Sequence, residues 1–446
     1  MKIYLNLFIV INAVNGSNFQ IEQQCPQCGA PIILDEADRI LSCKFCRTRV
    51  YLATKDIFHF YISPAEGIAE AIYFIPYWRT KGLSYTIKGM EMNMEHQGQL
   101  FSSSISSTIS GIDISYTYLD ANFLSFDSKL FPFSLGLRPQ AMKLKFVGSN
   151  ENKGVFLTSS GKTRETFIKN RQNNIGSGHR EVLVGETDSV IYTPVYFANG
   201  RIFDAVLKKP LDFPQKEDGE SEQTLASAPA EKWHVEFIPM LCPDCGADLP
   251  GEKDASVAFC SNCNSAWNLS SKNFTKVNYS TWQEKGEDIT YLPFWQMKVK
   301  VNGFQLETYA DLIKVANIPK VPSEEWTKTP FYFCAPAFKI NPALFLRWCR
   351  QLTATPVPMD LTEDFPAKKV YPATLSVNDA LESCILTLVS LISNKRSLVE
   401  ILPSLNFTLE DYSLVLHPFK TNARELIHTK IGFGMEMSAL NLGAYL

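Results

Sequence analysis

Eight of the eleven cysteines fall into two clusters with one shared spacing. Cys25 and Cys28 are followed by Cys43 and Cys46, and Cys242 and Cys245 by Cys260 and Cys263. Each cluster reads C-P-x-C-G-A and then C-x-x-C, with 14 residues between the inner cysteines. A C-x-x-C pair on a tight turn lets two sulfurs reach one ion, and a second such turn completes a tetrahedron. Thiolates in this arrangement point first to zinc, at Zn–S distances of about 2.3 Å. The glycine after the second cysteine, Gly29 or Gly246, can adopt a positive φ and turn amide N–H groups toward the sulfurs. Four protein sulfurs leave no open position on the ion, so a site of this kind stabilises a fold and activates no water. The eight cysteines are therefore expected to bind two structural zinc ions.

The clusters are offset by 217 residues, and the offset persists beyond them. Phe74-Ile75-Pro76-Tyr77-Trp78 aligns with Tyr291-Leu292-Pro293-Phe294-Trp295, and Lys81 with Lys298. Weaker likenesses at shifted offsets join Thr193-Pro194-Val195-Tyr196 to His417-Pro418-Phe419-Lys420, and 137–141 to 340–344. The pattern predicts a tandem duplication. In class the chain reads as α+β and β-rich, each unit a four-cysteine module followed by a mainly β domain with few helices. On the cysteine motifs the modules resemble zinc ribbons, which occur in transcription factors, polymerase subunits and many bacterial proteins. The resemblance covers about 30 residues per copy and implies a fold rather than a function. The C-P-x-C-G turn is also similar to that of rubredoxins, which would imply iron and electron transfer; the large β domain that follows argues against it.

Composition shifts divide the chain into an extension (1–21), a first ribbon (22–53), a first αβ domain (54–207), an acidic, proline-containing linker (208–232), a second ribbon (233–270) and a second αβ domain (271–446). Trp295, Met297, Val299 and Val301 alternate with polar residues and predict a half-buried strand. Asn341-Pro342 supplies an N-cap and a first-turn proline, predicting a helix over Ala343–Leu352. A second helix is expected from Ser376 or Asn378 to Leu391, and strands near Leu414–Phe419 and Ile431–Met435. Ser102–Ser110 reads as a loop or polar edge, and Lys153–Arg180 as a mobile basic excursion. Trp78 and Trp295 are expected to anchor the core beneath the ribbons.

Net charge is −3, so no polycationic field would draw the molecule to nucleic acid. Metal-knuckle cysteine usage, with Cys334, Cys349 and Cys384 left over in apolar surroundings, fits a reducing compartment and a cytoplasmic protein. The alternative, export, follows if residues 1–16, a lysine and then an interrupted apolar run, form a signal peptide. No apolar run reaches the roughly 18–20 residues of a spanning helix. Ser159-Ser160-Gly161-Lys162-Thr163 ends like a phosphate-binding loop, but Phe156 stands where its first glycine belongs. The histidines are scattered and the serine-elbow spacing is missing, so no catalytic residue is assigned and no enzyme is expected. Arg39, Lys44, Arg47 and Arg49 make the first ribbon basic, while Asp244, Asp248, Glu252 and Asp254 make the second acidic. The expected role is a zinc-binding scaffold or adaptor that meets a protein partner. Nucleic-acid binding through the four basic residues is the alternative, and rubredoxin-like redox work a third.

Overall fold

The computed structural model describes residues 19–95, 106–126, 131, 143–148, 154–159, 179–211, 233–269, 273–318, 321–356, 360–393, 395–422 and 424–443. The chain is β-rich, with 47% strand and 14% helix. Alternation sets the long strands. In Ile289–Val301 the side chains of Trp295, Met297, Val299 and Val301 are buried, with Gln296 and Lys298 between them less so. The run Tyr291–Trp295 is buried on both faces, since the sheet is covered there on both sides.

Two large sheets carry the fold, of ten and eight strands among the described residues, and their pairings follow one plan. Ile72–Glu95 lies antiparallel to His179–Ala198, pairing Trp78 with Val190; Ile289–Val301 lies antiparallel to Phe407–Thr421, pairing Trp295 with Leu414. Each pair carries one register shift, after Val184 in the first sheet and after Lys298 in the second. A short strand runs parallel to the second member of each pair, Phe58–Ile62 in one sheet and Tyr279–Trp282 in the other. A hairpin return closes each edge. Val195 pairs with Asp204 in the first and Phe419 with His428 in the second. Tyr73 takes Val155 as parallel partner, and Thr290 takes Lys369.

The cysteine modules are not separate beads. Glu236–Pro239, which leads into the second module, pairs antiparallel with Arg49–Ala53, which ends the first. The amides of Arg39 and Ile40 both donate to the Lys253 carbonyl, at 2.7 and 2.8 Å. Ile40, Tyr51 and Ala53 then share one apolar cluster with Met240, Cys242, Leu249, Cys260 and Trp267. The first module is also pinned to its sheet by charge. Arg79, fully buried, donates to both carboxylate oxygens of buried Glu36, at 2.6 and 3.1 Å, and to Asp120 at 2.6 Å. Charges so far from water persist because all the strong donors and acceptors are matched.

The distal half of the first sheet packs on the second unit's helices, so Leu83, Tyr85, Ile87, Val182 and Val184 join that core. The Tyr85 hydroxyl donates to the Pro342 carbonyl at 3.3 Å, and the Gly185 amide to Asp379 at 3.2 Å. The first-named helix spans Pro342–Thr353, with Asn341 accepting from the amides of Ala343 and Leu344 as its cap. The second is broken into Val377–Glu382 and Cys384–Leu391, capped by Ser376. Strands form at Phe407–Thr421 and Gly434–Glu436, where the sequence placed them, but Glu425–His428 lies between.

One reading is narrowed and one needs correction. Of the loop and the polar edge offered for Ser102–Ser110, the described part, Ser106–Ser110, is the edge: it begins the strand Ser106–Leu124, which pairs only with Ile72–Glu95 among the described residues, and lies opposite Glu91–Glu95. A backbone ladder accepts serine and threonine readily, so polarity alone did not mark a loop. The segment from Lys153 to Arg180 does not form one excursion. Val155–Phe156 is a strand with Leu157 fully buried behind it, and His179 and Arg180 begin a long strand. The rest of that segment, with Gly161-Lys162, lies outside the described residues, as do 1–18, 137–141 and most of the acidic linker.

Candidate metal centres

Each C-x-x-C turn is built locally. The Gly29 amide donates to the Cys25 carbonyl at 2.9 Å, Arg47 to Cys43 at 3.0 Å, and Gly246 to Cys242 at 2.8 Å. The residue after the second cysteine is left-handed in all four turns: Gly29 at φ 73°, Arg47 at 63°, Gly246 at 72° and Asn264 at 53°. Nothing lies within 4 Å of a Cβ added at Gly29 or Gly246, so their need for glycine is conformational rather than steric. Arg47 and Asn264 meet the same demand with side chains, Asn at little cost and Arg at more.

The turns bring the sulfurs together in two groups. Within each of the sets Cys25, Cys28, Cys43, Cys46 and Cys242, Cys245, Cys260, Cys263, all four sulfurs lie within 4.8 Å of one another. Sγ–Sγ separations are 3.6 Å for Cys25–Cys46, 3.7 Å for Cys28–Cys43, 3.6 Å for Cys242–Cys263 and 3.5 Å for Cys245–Cys260. A sulfur tetrahedron around an ion with bonds of about 2.3 Å has edges near 3.8 Å, whereas a disulfide needs about 2.05 Å. The spacing fits a shared ion and excludes disulfides. In both groups the first and third cysteines are buried and the second and fourth exposed, so each site sits at a module's tip with one side toward solvent.

Electrostatics lead to the same conclusion. The Thr48 hydroxyl, 3.2 Å from Cys46 Sγ, and the Thr48 amide bring the Cys46 thiol down to about 6. Desolvation opposes ionisation of Cys242, but the Ser265 hydroxyl and the amides of Cys245 and Asp244 take it to about 6 as well. Ser265 accepts from the Trp267 indole at 2.8 Å, which directs its own hydrogen toward the sulfurs of Cys263 and Cys242, at 3.0 and 3.5 Å. The last thiols resist. Cys28 receives the Ala30 amide, yet desolvation and its three sulfur neighbours push it up to about 12, and Cys263 rises to about 12 in the same way despite Ser265. In the second tetrad Cys245 is lowered as well, by Asn262 and the Ala247 amide, so one thiol of the first tetrad and two of the second ionise readily, but neither group can hold four negative charges at this distance unless a cation is shared among them.

Thr48 and Ser265 hold matching places, two residues past the fourth cysteine. Sequence reading missed both, along with Arg47 and Asn264 as left-handed turn residues. The signal was available, since a hydroxyl at the same position in two otherwise different tips is conspicuous once the clusters are aligned.

The tips differ in what they present. Lys44, Arg47 and Arg49 are exposed or partly so, and between them Phe45 is 75% exposed. Arg39 does not join them. Its guanidinium lies 4.2 Å over the Phe58 ring and donates to the Glu36 carbonyl, so the basic group has three cations rather than four. In the second module Ser261, Asn262 and Asn264 occupy the matching positions, and Asp244 is held by Lys276 at 2.7 Å. Lys253 reaches across to Asp38 of the first module at 3.1 Å.

Elsewhere, Cys349 and Cys384 are buried and Cys334 half-buried, and desolvation raises all three thiols. Trp78 and Trp295 are both buried, Trp295 donating to the Leu375 carbonyl at 2.9 Å. Two histidines that looked scattered in sequence meet in the core, with His417 Nδ1 2.9 Å from His428 Nε2. The amides of Lys430 and Ile431 donate to His428 Nδ1, so the proton sits on its Nε2 and is given to His417. No helix among the described residues is long and apolar enough to cross a membrane.

The two tetrads define a protein with two four-cysteine sites, each able to hold a metal ion on a β-rich frame. Compared with known proteins, the chain matches no family model, no curated protein and no solved structure.

Proposed function

We propose that this chain is a non-enzymatic, zinc-stabilised scaffold that works by binding a protein partner, with Cys25, Cys28, Cys43 and Cys46 holding one zinc and Cys242, Cys245, Cys260 and Cys263 the other. The observation that carries this reading is the closure of both sites. Four sulfurs at tetrahedral spacing satisfy an ion completely, so each zinc would fold its tip and offer no position for substrate. Zinc is favoured because a closed set of four thiolates on paired C-x-x-C turns is its usual structural site, and the hydroxyls of Thr48 and Ser265 support the thiolates from outside.

We further propose that the units arose by duplication. In support, the 217-residue offset of the cysteines carries Tyr73 onto Thr290, and the strands that flank these two residues correspond at shifted offsets: antiparallel Val195 with Phe419, and parallel Val155 with Lys369. The shared sheet between the modules makes the scaffold one rigid presenter of two chemically different tips, and a bivalent grip through a flexible tether is not needed.

The test is in-cell cross-linking followed by native mass spectrometry of the purified, reduced protein. A recurrent protein companion on a two-zinc chain supports the scaffold. A chain that carries nucleic acid, or that turns over a substrate with both zincs in place, refutes it.

A further inference from the structure

Phe45 is the most informative exposed side chain outside the metal sites. It stands at the end of the first module, between the ligands Cys43 and Cys46, with 75% of its surface in water. Neither the turn nor the ion requires an aromatic ring there, because the second module builds the same turn with Asn262. Lys44, Arg47 and Arg49 flank it in sequence and are exposed, and among the described residues none of the three is paired with a carboxylate. Other basic residues near the modules are engaged: Lys276 with Asp244, Lys253 with Asp38, and Arg39 with Phe58 and the Glu36 carbonyl. Three exposed cations and one exposed ring within the six residues 44–49, on a tip whose turn the ion would hold, form a small preorganised recognition surface.

We propose that the Lys44–Arg49 tip docks an acidic peptide segment that carries an apolar or aromatic anchor side chain. The proposal rests on the scaffold reading above and names its partner's chemistry. Charge selects the occupant: three cations suit two or three carboxylates, while the ring offers one contact for one apolar group. A nucleic-acid strand fits less well. The tip offers a single exposed ring for stacking and three cations within six residues, a footprint too short to track an extended polyphosphate. The second module's neutral tip, with Asp244 already paired, is not a second copy of this surface.

The test exchanges one tip's chemistry for the other's. Lys44→Ser, Phe45→Asn and Arg47→Asn together install the residues that the second module already carries, so the turn keeps a proven sequence. The probe is a short fluorescein-labelled peptide of Asp, Glu and Ser around a central Trp–Leu pair, titrated by anisotropy into the two-zinc protein. Saturable binding is expected, weakened about tenfold in the triple variant and clearly in Phe45→Asn alone. Binding is also expected to fall with salt, as contacts at an exposed tip should. A peptide that does not bind, or binds both proteins equally, overturns the proposal. Labelled oligothymidylate that displaces the peptide at lower concentration overturns it in favour of nucleic acid. Metal content of two per chain in the variant shows that the tip still folds. If a cross-linked partner is retained by the triple variant, the scaffold survives and this surface does not; if the wild-type chain captures none, the scaffold itself fails first.

Discussion

Breaking the buried Arg79–Glu36 pair tests how the first metal module is fastened to its sheet. Arg79 is fully buried and Glu36 is 2% exposed, so neither can recover water's solvation when the other is removed. Arg79→Met strands the Glu36 carboxylate without its two-pronged donor; Glu36→Gln leaves the guanidinium with Asp120, which is half in solvent. Losing one partner of a buried ion pair costs about 3–5 kcal/mol, whereas replacing both by apolar groups of similar size is close to neutral. Each single variant should therefore lose about 3 kcal/mol or more. The double variant Arg79→Met/Glu36→Leu should recover much of that loss, giving a coupling of at least about 2 kcal/mol. Guanidinium unfolding at saturating zinc measures all four proteins, with unchanged slopes as the check that the same two states are compared. Single variants within about 1 kcal/mol of wild type, or strictly additive losses, would refute the pinning argument.

Three further outcomes follow from the same geometry. Desolvation, with Lys430 beside it, lowers His428 to about 4 from 6.5, so between those values the unfolded chain takes a proton that the folded chain refuses. Stability should be complete above about pH 6.5 and fall by about 3 kcal/mol towards pH 4, and in His428→Gln that part of a pH-dependent unfolding curve should flatten. Thr48→Val and Ser265→Ala remove the hydroxyls that hold the thiolates; chelator competition should show zinc affinity at the affected site down about tenfold or more, with the other site less changed. Cys43→Ser with Cys46→Ser should weaken zinc binding at the second tetrad too, because Arg49–Ala53 is the partner of the strand that leads into it; unaltered affinity there would show that the modules fold independently.

What the sequence made legible was local. The C-x-x-C turns close within a few residues, so their spacing pointed directly to the two sulfur groups, and Gly29 and Gly246 marked the left-handed positions. Asn341-Pro342 declared a helix start for the same reason. What escaped was non-local. Glu36 and Arg79 are 43 residues apart with nothing in either segment naming the other. The strand Glu236–Pro239 follows the acidic stretch that reads as a linker, yet it completes the first module's sheet. Arg39 counted as a tip residue by proximity in sequence, but strand pairing turned it onto Phe58. His417 and His428 came together only because a hairpin return set Phe419 opposite His428.

The claim on which the rest stands is that each sulfur group holds one zinc. Zinc-edge X-ray absorption on the reduced protein, with metal counting by native mass spectrometry, tests it most directly. The account predicts two zincs per chain, each with four sulfurs at about 2.3 Å and no oxygen or nitrogen ligand. Iron in the sites, a single metal per chain, a light-atom ligand or disulfide-linked knuckles would contradict it.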